Sequence, residues 1–174
     1  ISTRPQWGTA AFRLLHIRVF MSNILSNEPI IQYEPQSLRP IVATIGVLFK
    51  DGKVLLVRRA NPPDAGRWGF PGGKIERGET VKDAAVRELY EETSIVSKAF
   101  KTFNAVDAFD FDSSGKLRHH FVLVAVLCIW VSGDPLAGDD ALEARFFDIE
   151  DLINADLALS LDVKEIALQA AELL

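Results

Sequence analysis

Apolar positions are arranged differently in the first 37 residues and in the rest of the chain. Residues 41–49 are β-branched and apolar, which predicts a buried strand. Residues 50–53, with the sequence Lys-Asp-Gly-Lys, predict a hairpin turn, and residues 54–57 predict the returning strand. Later patterns predict strands at 98–111, 117–131 and 145–148, loops or turns at 60–68, 70–73 and 113–116, and helices at 81–93, 149–154 and 161–174. Strands dominate the centre and helices occur singly, so the sequence predicts an α+β or mixed α/β class.

The first 37 residues are expected to be an N-terminal extension ahead of one domain at 38–174. No acidic residue precedes Glu28, whereas three arginines do, and Met21 is the only methionine. Because Met21 stands in the position of a natural start codon, residues 1–20 are expected to be an upstream or expression-derived segment. A targeting peptide is the more specific alternative, since residues 1–20 contain arginines and no acidic residue.

Composition and charge narrow the class of protein. The 174 residues suit a single domain, with 48% apolar and 25% charged residues. The net charge of −5 argues against a nucleic-acid polymer as partner, but not against a small phosphate-bearing molecule. The longest apolar run, Phe121–Val131, has 11 residues, so no membrane span is expected. Cys128 is the only cysteine and lies in that run, which predicts a core thiol, no disulfide and a reducing, cytoplasmic compartment.

The helix predicted at 81–93 has a recognisable start and an apolar face. Thr80 followed by Asp83 is a capping-box pattern, so the helix should begin at Thr80. At 100° per residue, one stripe should face the protein, and it consists of Val81, Ala84, Ala85 and Leu89.

Three glutamates lie at the edge of that stripe. Glu88, Glu91 and Glu92 fall within an arc of about 100°, since residues three and four apart are neighbours on a helix. Like charges repel there, and when partly buried each costs more unless it is paired or bound to a cation. A divalent ion with oxygen ligands solves this problem, and Mg²⁺ is the usual ion at phosphate-transferring sites. On the helix alone, an ordinary solvated acidic patch explains the same residues equally well.

The surrounding sequence favours the metal. Gly73 is followed after five residues by Glu79, and after seven more by Arg87-Glu88-Leu89-Tyr90-Glu91-Glu92-Thr93-Ser94-Ile95. This resembles the Nudix box, Gly-x5-Glu-x7-Arg-Glu-U-x-Glu-Glu-x-Gly-U, in which U is bulky and aliphatic. Residues 68–73 and 143–147 also resemble the family, and the resemblance covers about residues 40–152. The one departure is Ser94, which replaces a glycine just after the helix, where it should cost about 1 kcal/mol or alter the cap.

The resemblance implies a fold, an activity and a cofactor. The fold is the Nudix α/β/α sandwich, with a mixed sheet between helices. The activity is Mg²⁺-dependent hydrolysis of diphosphate linkages, with Mn²⁺ as a substitute. Metal-bound water has a lowered pKa, and a nearby carboxylate can orient it and take its proton.

The resemblance also assigns roles to the box residues. Glu88 and Glu92 are expected to be the main ligands, and Glu91 a further ligand or the base that activates water. Arg87 is expected to orient carboxylates, and Glu79 to hold the loop or bind metal. The carbonyl of Gly72 is another candidate ligand, although Gly72 and its neighbour also suit a plain tight turn.

Candidates outside the box are weaker. An additional acid is expected from Asp139, Asp140 or Glu143. Substrate phosphate is expected at Arg58 or Arg59, or else these are solvated at a strand end. Trp68 is a candidate for stacking on a base, or a core residue. His119 and His120 follow a hairpin turn, and one is expected to face outward and the other inward.

Three functions remain open from the sequence. The layout resembles ADP-ribose pyrophosphatases, although the subfamily's proline about 15 residues after the box is absent. A nucleoside triphosphate pyrophosphohydrolase is the alternative, and a nucleotide-binding sensor without catalysis is a second, from another class. The partner in each case is a small nucleotide, and a homodimer is left open.

Overall fold

The computed structural model describes residues 39–138, 140–154 and 156–174. The predicted extension at 1–37 and the candidate acid Asp139 lie outside them. The described part contains strands β1 (Ile41–Lys50), β2 (Lys53–Arg59), β3 (Trp68–Gly69), β4 (Gly72–Lys74), β5 (Val96–Phe111), β6 (Leu117–Ser132) and β7 (Ala141–Asp148), and helices α1 (Val81–Thr93), α2 (Ile149–Asn154) and α3 (Val163–Ala171). In these residues no helix is long and apolar enough to cross a membrane.

The strands form one mixed sheet in the order β3-β2-β1-β6-β5. β1 runs parallel to β6, with Ile41 opposite Phe121 and Phe49 opposite Ile129. β4 pairs with the first half of β1, and β7 pairs with β2, both antiparallel. The parallel pairing brings together segments that are far apart in the sequence at the centre of the sheet.

Alternate residues of the central strands enter two separate cores. Val47 and Leu127 lie in a core on the face of the sheet that packs against α2 and α3. Leu48 and Val126, one position later or earlier, lie in a core on the face covered by α1. Since strand side chains alternate between faces, this pattern places the sheet between helices. It confirms the predicted α+β class and the α/β/α sandwich.

Helix α1 begins and ends as predicted. The Thr80 side chain accepts a hydrogen bond from the Asp83 N–H at 3.1 Å, which satisfies one of the free amides of the first turn. Ala84, Ala85 and Leu89 are buried against the sheet. Ser94 ends the helix in the left-handed conformation, with φ of 58°, and its N–H donates to the Tyr90 carbonyl.

The predicted boundaries are wrong in the short elements. The loop predicted at 60–68 ends in β3, and the turn predicted at 70–73 contains the start of β4. The strand predicted at 145–148 begins four residues earlier, at Ala141. These pieces are too short to show periodicity, and they become strands only through pairing with β1 and β2.

Candidate functional site

The three glutamates of α1 differ in exposure because they lie at different angles to the sheet. The Glu88 side chain is 13% exposed, whereas that of Glu91 is 55% exposed. Glu92 is partly buried, one turn after Glu88. Glu88 and Glu92 therefore lie on the protein side of the cluster and Glu91 on the solvent side.

Arg87 connects these acids to the preceding loop. Its Nε and Nη2 donate to the two oxygens of Glu79 at 2.8 and 3.0 Å. Nη1 donates to Glu88 Oε1 at 2.8 Å and to Glu91 Oε2 at 2.9 Å. Nη2 also donates to the Lys74 carbonyl at 3.1 Å. All five guanidinium N–H groups are thus used inside the protein, so Arg87 orients carboxylates and has no donor left for a substrate.

Glu79 is held in its ionised form. The hydrogen bond from Arg87, followed by one from the Glu76 N–H, lowers the pKa of Glu79 to about 2. Its side chain is only 15% exposed. This pairing gives Glu79 a structural contact that ties the loop before α1 to the helix.

Burial raises the pKa values of Glu88 and Glu92, whereas the pKa of Glu79 is lowered. It raises the pKa of Glu92 to about 7, and the negative charges of Glu88 and Asp140 add to the effect. Arg59 and a hydrogen bond from the Gly72 backbone counter it only in part. Burial likewise raises the pKa of Glu88, against the pull of Arg87. Burial therefore disfavours the ionised forms of both carboxylates, which a bound cation would favour.

Gly73 allows the strand before the helix to approach Glu88 closely. A Cβ atom on Gly73 would overlap the Glu88 carboxylate. The glycine is needed here for space, and it lets β4 form one wall around the acid.

The loop between β6 and β7 is attached to the end of α1. The Leu136 N–H donates to the Thr93 carbonyl and the Gly138 N–H to the Glu92 carbonyl, both at 2.9 Å. A Cβ atom on Gly138 would collide with the Glu91 carbonyl oxygen. These contacts satisfy carbonyls that a helix end leaves free, and they fix the start of the segment that carries Asp140.

Several candidates outside the box are engaged elsewhere. Arg58 forms an ion pair with Glu143, directly opposite it in the β2–β7 ladder. The two therefore neutralise each other, and neither is available for the roles expected of them as a free phosphate ligand and a free acid. Arg59 instead lies over Gly69 and close enough to Glu92 to act on it.

Trp68 is a core residue. It is 6% exposed and packs edge-on against Phe147 with ring centroids 4.8 Å apart. The Arg145 guanidinium lies 4.8 Å from the centre of the Trp68 ring. These contacts correct the expectation that Trp68 stacks on a base, because no ring face is open to one.

The histidines pair with acids of the β5–β6 hairpin, and the cysteine lies in the core under α1. His119 contacts Asp110 at 2.9 Å and His120 contacts Asp107 at 2.7 Å, both within the β5–β6 hairpin. Cys128 is buried, and burial raises the pKa of its thiol to about 12, which removes it as a nucleophile.

The donor set suits a hard divalent cation, but not as a closed cage. Across 39–138, 140–154 and 156–174, no three His, Cys, Asp or Glu side chains converge closely enough to enclose a metal. The expected trio of Glu88, Glu91 and Glu92 is thus not assembled, and Arg87 holds Glu91 on the exposed side. Glu88 and Glu92 remain as a partly buried pair of acids, whose ionised forms a cation would favour. Mg²⁺ fits such a pair, since it binds one or two carboxylates and keeps several waters.

Comparisons with known proteins find similar sequences over most of this chain. A family model described as NUDIX domain matches residues 38–168. An ADP-ribose pyrophosphatase of Methanocaldococcus jannaschii is 40% identical over 115 residues, which are 66% of this chain and 66% of that protein. An oxidized purine nucleoside triphosphate hydrolase of Mus musculus is 29% identical over 114 residues, 66% of this chain and 70% of that protein.

Among solved structures, the NUDIX domain of Shewanella oneidensis NrtR complexed with ADP ribose is similar, with a TM-score of 0.62 and 25% identity. The match covers 81% of this chain and 93% of that one. The alignment with the M. jannaschii protein leaves about a third of that relative's length unmatched. The family match confirms the resemblance seen in the box.

Proposed function

The chain belongs to the Nudix family, and on this premise we propose that it hydrolyses the diphosphate linkage of an ADP-ribose-like nucleotide with Mg²⁺ or Mn²⁺. The observation that carries the proposal is the partly buried Glu88–Glu92 pair, in which Arg87 donates to Glu88 at 2.8 Å and burial disfavours the ionised form of Glu92 by raising its pKa to about 7. The relative at 40% identity is named an ADP-ribose pyrophosphatase, which supports the substrate class.

Each residue has a task in this scheme. Glu88 and Glu92 would hold the cation, which when bound would stabilise negative charge on the diphosphate and make water more acidic. Glu91 uses one oxygen to accept from Arg87 and keeps the other for a proton taken from the attacking water. The water oxygen bonds to one phosphorus as the bridging oxygen leaves with the other phosphate. Arg59, near Glu92, binds a phosphate oxygen.

A substrate panel with a metal control tests this function. Purified protein is incubated with ADP-ribose, NADH, dinucleoside polyphosphates and nucleoside triphosphates, with Mg²⁺ or with excess EDTA. We expect AMP and ribose 5-phosphate from ADP-ribose, and no product in EDTA. Full activity in EDTA, or no turnover of any diphosphate compound, contradicts the proposal.

One observation supports an alternative substrate. The M. musculus relative is named an oxidized purine nucleoside triphosphate hydrolase, although its identity is lower, at 29%. Pyrophosphate release from triphosphates, with ADP-ribose left intact, would identify that activity. Binding of ADP-ribose with no cleavage under any metal would instead identify a sensor.

A further inference from the structure

Asp140 is fixed by two hydrogen bonds from the loop that follows β2. The β2–β7 ladder ends where Arg59 pairs with Ala141, and the Ala60 N–H then donates to the Asp140 carbonyl at 3.1 Å. One residue further, Asn61 Nδ2 donates to Asp140 Oδ1 at 3.0 Å. Thus the loop after β2 sets both the backbone and the carboxylate of Asp140.

The hydrogen bond from Asn61 to Asp140 differs in charge from the contacts made by Glu143 and Glu79. Glu143 accepts from Arg58 and Glu79 from Arg87, and in each case an arginine cancels the negative charge. Asn61 is a neutral donor, so it orients the Asp140 carboxylate and leaves its charge intact. An acid held in this way remains able to attract a cation.

The loop that carries Asp140 is attached to the helix that carries the glutamate pair. The Gly138 N–H, two residues before Asp140, donates to the Glu92 carbonyl at 2.9 Å. Asp140 is therefore held beside the end of α1. It is not part of a compact trio of acids within the described residues. A cation held by Glu88 and Glu92 would therefore meet Asp140 through its water shell, as Mg²⁺ does when it keeps several waters.

We propose that Asn61 is a positioning residue that holds Asp140 as the additional acid facing the hydrated cation of the Glu88–Glu92 pair. The inference rests on the proposed function for the cation, but not for the substrate. It selects Asp140 over Glu143, and it assigns a role to a residue that lies outside the box. Asn61 acts only through Asp140.

Manganese binding to the intact chain tests this role without turnover. Mn²⁺ affinity is measured by calorimetry and by the paramagnetic signal of free Mn²⁺ for wild type, Asn61→Ala, Asp140→Asn and the double variant. We expect Asn61→Ala to weaken Mn²⁺ binding about tenfold, the scale for loss of a partner that orients a ligand. The double variant should be no weaker than Asp140→Asn alone, because both changes remove the same carboxylate from its place.

Control variants separate positioning from a general loss of structure. Asn104→Ala removes a similar bond, from Nδ2 to Gln169 Oε1 at 2.7 Å, and should leave Mn²⁺ affinity unchanged. Asn61→Leu keeps nearly the same side-chain shape without the donor. If Asn61→Ala does not fold, Asn61→Leu takes its place in the comparison of single and double variants.

The outcomes distinguish this inference from the proposed function. Wild-type Mn²⁺ affinity in Asn61→Ala, or losses that add in the double variant, overturn the role of Asn61 even if ADP-ribose is hydrolysed. If the losses of Mn²⁺ affinity do not add in the double variant, but the protein cleaves no diphosphate, the proposed function is overturned and the role of Asn61 in positioning Asp140 stands.

Discussion

Arg87 and Glu79 meet through two parallel hydrogen bonds, with Nε 2.8 Å from Oε1 and Nη2 3.0 Å from Oε2. Glu79 precedes the helix and Arg87 lies in its second turn, so the pair fixes the loop against α1. The same guanidinium reaches Glu88 and Glu91. The position of the acidic cluster therefore depends on one planar group with a fixed set of donors.

Arg87→Lys should abolish most activity although it keeps the positive charge. A single ammonium cannot make the parallel contact with Glu79 and still reach both glutamates. We expect kcat to fall about 100-fold, the scale of a small misplacement at a reacting centre, and the melting temperature to fall as well. Arg118→Lys is the matched control, since Arg118 contacts Asp110 at 2.8 Å in the β5–β6 hairpin and should leave kcat unchanged. A wild-type kcat in Arg87→Lys would contradict the conclusion that the Arg87 guanidinium positions the acidic cluster.

Glu92→Gln should separate activity from folding. The change keeps the size of the side chain but removes a charge needed to hold the cation, so kcat should fall about 100-fold or more. In EDTA the melting temperature should stay the same or rise, because one of two partly buried acids is gone. The measurements are steady-state kinetics with Mg²⁺ and thermal melting without it. A collapsed melting temperature would show that Glu92 is structural instead.

Gly138→Ala should disturb both the loop and the site. Its Cβ would collide with the Glu91 carbonyl oxygen and lie 3.2 Å from the Glu92 Cα, so the loop must move. We expect a loss of about 1–3 kcal/mol in the free energy of unfolding and a lower kcat. Gly115→Ala is the control: its φ of 80° makes a side chain costly, but nothing lies within 4 Å of the added Cβ. It should cost stability and leave kcat intact, and equal kcat losses in both variants would contradict the link to the loop.

Ser94→Gly should stabilise the protein. Ser94 adopts φ of 58°, which costs an L-residue about 1–2 kcal/mol, and glycine avoids this cost at some expense in unfolded-state entropy. A net gain near 1 kcal/mol raises the melting temperature by about 2–4 °C in a chain of this size. Ser94→Ala retains the strain and should show no gain. An unchanged melting temperature in Ser94→Gly would mean that serine pays no penalty there.

Asp110 should make stability depend on acid pH. It is 6% exposed and accepts from Arg118 and His119, and these contacts hold its pKa below the usual 3.8. Because the folded state favours the ionised carboxyl, the stabilisation is fully present above pH 3.8 and is lost as pH falls through the lowered folded pKa. Asp110→Asn should therefore unfold at lower urea at pH 7, and the difference should shrink at pH 2.5. Asp134→Asn, at a side chain 94% exposed, should show neither effect.

The sequence predicted features that depend on neighbouring residues. The start of α1 at Thr80, its apolar face and the strands of the central sheet follow from caps and periodicity, which are local signals. The box likewise placed Arg87 and the glutamates on one helix. Such predictions needed no knowledge of which strands pair.

Features that depend on strand pairing were not predictable. Arg58 faces Glu143 because β2 and β7 pair in one register, and the Asn61–Asp140 contact extends the same ladder. The same holds for Trp68, whose burial depends on Phe147 of β7. Nothing in residues 60–63 signals the role of Asn61, and Gly138 is marked only by being a glycine before two acids. A shift of one position in the register would have changed every one of these partners.

The parallel pairing of β1 with β6 has a consequence for synthesis on the ribosome. Ile41 of β1 pairs with Phe121 of β6, so 80 residues must be synthesised after Ile41 before this pairing can begin. At translation rates of about 5–20 residues per second, this delay lasts about 4–16 s. During that time Ile45 and Val47, both buried in the finished protein, belong to a nascent chain without their partner strand. The β1–β2 hairpin therefore leaves the ribosome with apolar residues whose partner strand is still to be made.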